Sequence, residues 1–103
     1  MALGDGKGRS GLQSATLTSV TVGTSSTAVL TAANAALCEY IYIANDSDEV
    51  IYIGLGAAAQ LNKGIRLNAS GGVVIFDAQT IPRVAINAIC ATGSKNLCVT
   101  VAS

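Results

Sequence analysis

The chain has 103 residues and no net charge, with 12% charged and 50% hydrophobic residues, 4% aromatics and no histidine or tryptophan. That length makes one domain with a modest core, and neutrality removes the long-range field that would gather nucleic acid or anionic lipid. A charged fraction far below the usual ~25% leaves much uncharged surface, which favours association into a multi-subunit setting.

Residues 1–14 hold four glycines, Lys7 and Arg9, and only Leu3 and Leu12 as sizeable apolar groups. Such a segment cannot bury itself, so we expect a flexible N-terminal arm, free or ordered against a neighbouring subunit. It lacks the apolar stretch of a signal peptide, and no run in the chain reaches the ~18 apolar residues of a spanning helix. The expectation is a protein made in a cytoplasm, without nucleic-acid or membrane partners.

The texture changes at residue 15, where we expect the folded domain (15–103) to begin. Thr16–Val22 is rich in Thr and Val, Gly23–Ser26 marks a turn, and Thr27–Thr31 reads as a short strand. Ala32–Ala36 is compatible with a helical turn or a loop. Two strands follow at about 38–45 and 50–54, separated by the polar cluster Asn45-Asp46-Ser47-Asp48-Glu49. They either pair as a hairpin or lie in opposite sheets. Further strands are expected at 64–67, 73–76, 84–90 (after Pro82) and 97–101.

About eight short strands with turn signals between them predict an all-β fold, an antiparallel β-sandwich of jelly-roll-like form. Alternation puts Leu97, Val99 and Val101 on one face, and Ile41 and Ile43 opposite Tyr40 and Tyr42. Both faces of the Tyr40–Ile43 strand lean apolar, as expected if one meets the core and the other a partner.

Few residues suggest chemistry. Cys38, Cys90 and Cys98 form no Cys-x-x-Cys pair, which disfavours zinc; they read as small buried hydrophobes. A nucleophilic thiol or serine has no histidine to activate it, so no enzyme is expected. Asp46, Asp48 and Glu49 offer oxygen ligands for a hard cation but lack the calcium-loop spacing. Gly54-x-Gly56-x-x-Ala59 follows a strand, with Asp77 about twenty residues on, in the manner of a dinucleotide turn. The helix this requires would have to accommodate Gly64, Asn62 and Asn68, so turn glycines are the better reading. No cofactor is expected.

Val29-Leu30, Ala33-Asn34, Asn45-Asp46-Ser47, Ile51-Tyr52-Ile53-Gly54, Gly64-Ile65-Arg66-Leu67 and Val84–Gly93 form an ordered set across 27–101. This set resembles small β-sandwich structural proteins of tailed bacteriophages, found as capsid cement (decoration) or other minor virion proteins. Similar proteins often carry an arginine shortly after the asparagine, where this chain has Ala35-Ala36-Leu37-Cys38. The resemblance implies a virion protein on the head surface that binds the major capsid protein, commonly as a homotrimer across shell junctions. Leu3, Lys7, Arg9 and Leu12 of the arm, with one apolar-leaning sheet face, are the expected protein contacts. Another minor virion role (tail, collar or fibre base) is the alternative, and a small dinucleotide-binding fragment a more distant one.

Overall fold

A computed structural model describes residues 13–103. Eight strands form two four-stranded antiparallel sheets: β1 (Ala15–Val22), β2 (Thr27–Leu30), β3 (Tyr40–Asn45), β4 (Ile51–Leu55), β5 (Ile65–Leu67), β6 (Val73–Phe76), β7 (Ile86–Cys90) and β8 (Lys95–Ala102). One sheet has the order β1-β8-β3-β6 and the other β2-β7-β4-β5. Every connection except β4–β5 crosses between sheets, and β1 pairs with β8, β2 with β7, β3 with β6 and β4 with β5. This is the order of a jelly roll.

The all-β expectation therefore holds. The two strands flanking the Asn45–Glu49 cluster do not form a hairpin: β3 bonds β8 and β6, whereas β4 bonds β5 and β7. Each carries isoleucines on its inner side, and burying both sets requires the strands to meet face to face across the sandwich. Ile41 and Ile43 from one sheet and Ile51, Ile53 and Ile86 from the other are all within 1% of full burial. Val22, Leu67 and Leu97 complete that layer.

Ala32–Ala36 resolves as a five-residue helix, α1. The Thr31 hydroxyl accepts the Asn34 N–H at 3.2 Å as its N-cap, and the Arg83 guanidinium donates to the Ala36 carbonyl at 2.9 Å near its end. β8 starts two residues earlier than the sequence suggests because Lys95 and Asn96 pair with Val22 and Thr21. β7 starts two residues late, at Ile86, after the bend that follows Pro82.

One inward position of β3 is polar. Asn45 continues the Ile41–Ile43 series and is fully buried. Its side-chain amide donates to the Glu49 carbonyl at 2.7 Å and to the Leu67 carbonyl of β5 at 3.0 Å. Its Oδ1 accepts the Ser47 hydroxyl at 2.6 Å. Both amide N–H groups and the Oδ1 are thus engaged inside the protein, and one of the bonds reaches the opposite sheet. Asn45→Ala strips the buried Leu67 carbonyl of this donor, while the bonds between Ser47 and Glu49 remain. An unsatisfied buried acceptor costs about 1–3 kcal/mol, so a loss of about 2 kcal/mol is expected in urea unfolding monitored by circular dichroism.

Candidate interaction surface

In an antiparallel pair, residues directly opposite share a face. Following the register outward across the first sheet, Leu17, Thr100, Tyr42 and Ile75 form one row spanning all four strands. Ser19, Cys98, Ala44 and Val73 form the next. Tyr40, Ala15 and Ala102 flank the first row, and Thr21 and Asn96 the second. None of these outward positions is charged. Leu17 is 76% exposed, Ile75 51% and Val73 41%. A shallow groove of about 370 Å³ runs over β1 and β8, bordered by Leu17, Ser19, Cys98 and Thr100 among others.

The second sheet treats its outer face differently. There the segment 56–62, which contains no helix, folds back over the strands. Asn87 of β7 donates to the Ala57 carbonyl at 2.8 Å, the Ser26 hydroxyl accepts the Ala59 N–H at 2.8 Å, and the Tyr52 hydroxyl donates to Asn62 at 3.0 Å. Gly54 lets this loop lie directly on β4, since a Cβ there would sit 2.9 Å from the Ala59 Cα. Ile89, placed on this side by its pairing with Tyr52, is only 8% exposed. The outer face of the second sheet, which also carries Arg66 and Asn87, is partly covered by the chain's own loop, and among the described residues no such loop lies over the first.

That loop also decides how the Gly54-x-Gly56 motif is used. Gly56, with φ near +77°, turns the chain at the end of β4, and no helix N-terminus follows to receive a pyrophosphate. Asp77 caps its own turn, accepting the Gln79 and Thr80 N–H groups at 2.9 and 3.1 Å. These bonds hold its carboxyl below its ordinary value.

The Asp46–Glu49 acids point to separate partners. Asp48 pairs with Lys95 at 2.7 Å, Glu49 accepts the Thr92 N–H and hydroxyl at 3.0 and 2.9 Å, and Asp46 accepts the Asn96 amide at 3.2 Å. The Lys95 hydrogen bond lowers the Asp48 pKa, and the Thr92 backbone N–H followed by its hydroxyl lowers that of Glu49. Among the described residues, no three or more acids and cysteines gather as a metal site would need.

The cysteines differ from one another. Cys90 is buried, as a small hydrophobe would be, and its thiol donates to the Val22 carbonyl at 3.4 Å. Cys38 and Cys98 are only half-buried, and Cys98 lies on the uncharged outer face. Burial pushes the Cys38 thiol up, the opposite of what an activated thiolate needs.

Of the expected contacts, the apolar-leaning sheet face is present. Leu3, Lys7, Arg9 and Leu12 lie outside the described residues. Leu17 was not singled out by the sequence, although the signal was there: Val20 and Val22 set the inward parity of β1, which leaves Leu17 facing out. No known protein family, curated protein or solved structure matches the chain.

A carboxyl with a lowered folded pKa stabilises the fold above its ordinary range and loses that contribution as pH falls through the folded value. With Asp48, Glu49 and Asp77 all lowered, Tm is expected to be flat near neutrality and to fall below about pH 4. In a thermal scan series, Asp48→Asn makes that acid-side slope shallower.

Proposed function

We propose that this chain is a structural protein of a tailed-bacteriophage virion, a cement protein that lays its uncharged sheet face on the outside of the head shell. The observation that carries the reading is the contrast between the two outer faces. The chain partly covers one with its own loop and presents the other, with Leu17, Val73 and Ile75 exposed and no charge among its strand positions. An apolar face rimmed by polar groups fits a protein partner better than water. The ordered motif set in 27–101, with its resemblance to small virion proteins, indicates which kind of partner.

The role is mechanical. Removing apolar area from water favours the bound state by about 25 cal/mol per Å², less the cost of immobilising the protein. The gain exists only on the assembled shell if the face spans neighbouring shell subunits, so binding shifts the balance from separated to joined subunits. Repetition over many equivalent shell positions turns a modest contact into a large total, and no step of this kind needs a catalytic group or cofactor.

Purified protein mixed with empty head shells is expected to co-sediment with them. Val73→Lys combined with Ile75→Lys should weaken that binding at least tenfold while the β-sheet circular dichroism spectrum is retained. Absence from the shell pellet, capture by isolated tails instead, or undiminished binding of the double variant would overturn the reading.

A further inference from the structure

Four strands end the two sheets, and three of them are blunted. β2 has four residues and a register shift between Ala28 and Leu30, β5 has three and includes Arg66, and β6 has four and runs into Asp77. β1 has eight residues with no charge, proline, glycine or register shift. Exposed edges of this length are ordinarily guarded by one of those devices, because an open edge is a template for another strand.

The ladder shows which groups are open. Ser14 donates to the Ser103 carbonyl at 3.0 Å and Ser103 to the Ser14 carbonyl at 3.1 Å, so the two form a hydrogen-bonded pair. Such pairs alternate along an antiparallel ladder. Thr16, Thr18, Val20 and Val22 therefore bond β8, while Ala15, Leu17, Ser19 and Thr21 aim their N–H and C=O groups away from the sheet. Among the described residues no strand pairs with that side of β1.

We infer that β1 of a second copy of this chain completes the edge, antiparallel, about a two-fold axis passing beside Thr18. Outward-bonding residues must face outward-bonding residues, and of the registers that satisfy this parity only this one pairs all four of them. Ala15 lies opposite the partner's Thr21, and Leu17 opposite the partner's Ser19. Each such pair exchanges two backbone hydrogen bonds.

A second copy suits this edge better than an unrelated strand for two reasons. A two-fold contact sets like residues near like, which a charged edge resists and the uncharged β1 permits. It also brings Leu17, 76% exposed in the single chain, diagonally across from the partner's Leu17 on the same face, within reach of long side chains. The product is one eight-stranded sheet whose outward strand positions carry no charge. An isologous contact of this kind closes at two copies, unlike the trimer that the phage resemblance implies, and it does not depend on what the sheet face binds.

Sedimentation of the full chain over a concentration series tests this. The wild type is expected at twice the 10.3 kDa chain mass. Ser19→Pro removes an outward N–H without touching the β1–β8 ladder, and Leu17→Lys sets two positive charges together across the axis. Each should weaken dimerisation at least tenfold and keep the β-sheet circular dichroism spectrum. Amide exchange on the wild type gives an answer even if both variants misfold. The Leu17, Ser19 and Thr21 amides should slow as concentration rises, while that of Thr18 stays constant. A wild-type monomer or trimer, a dimer indifferent to both substitutions, or exchange at Leu17 and Ser19 independent of concentration would overturn the inference.

Discussion

The buried amide of Asn45 is the point on which the two sheets are held in register with one another. Apolar contacts across a sandwich are non-directional, and isoleucine layers can slide at little cost while their total buried area is kept. A hydrogen bond cannot slide. The bond from Asn45 to the Leu67 carbonyl fixes the end of β3 against β5 in the opposite sheet. The bond to the Glu49 carbonyl and the one from Ser47 fold the intervening turn back onto the same side chain. The backbone of Asn45 also exchanges bonds with Gly71 and Gly72, which tethers the approach to β6. Two crossings between sheets, β3–β4 and β5–β6, thus converge on one residue, and with their ends fixed the strands can present a defined outer surface.

With that constraint in place, the difference between the two outer faces follows from loop length. The β4–β5 connection is the one that stays within its sheet, and it is long enough to lie back over the strands it joins. The first sheet has no such connection, because every described segment that joins its strands to the next crosses to the other layer. Among the described residues, none lies over its outer side chains. The placement of uncharged residues there fits the topology, since a face that no connection between the described strands covers is the one open to assembly.

Much of the fold was legible because alternation survives in short strands. Leu97, Val99 and the Ile41–Ile43 pair declared their sides, and Gly23–Ser26 and Pro82 marked breaks. The partner of each strand was not legible. Two adjacent β-rich runs around Asn45–Glu49 look alike whether they pair edge to edge or stack face to face, and only the inward isoleucines on both distinguish the cases. Asn45 itself read only as the polar end of a strand, because nothing local shows that its amide will find the Leu67 carbonyl. The interaction surface was half visible: the apolar lean of the Tyr40–Ile43 strand was plain, but the rows that join Leu17 to Ile75 exist only once β1, β8, β3 and β6 are set side by side.

The pairing of β1 with β8 also has a consequence in time. Ala15 and Ala102 are neighbours in space and almost the whole domain apart along the chain. During synthesis β1 emerges first and must wait for the last strand before its ladder can form, so closure of the first sheet is a late event that carries the entropy of a very long loop. Through that interval an uncharged strand of eight residues is present without its partner. A cell making this protein in quantity holds many such strands at once, and the rate of completing each chain sets how long they are exposed to one another.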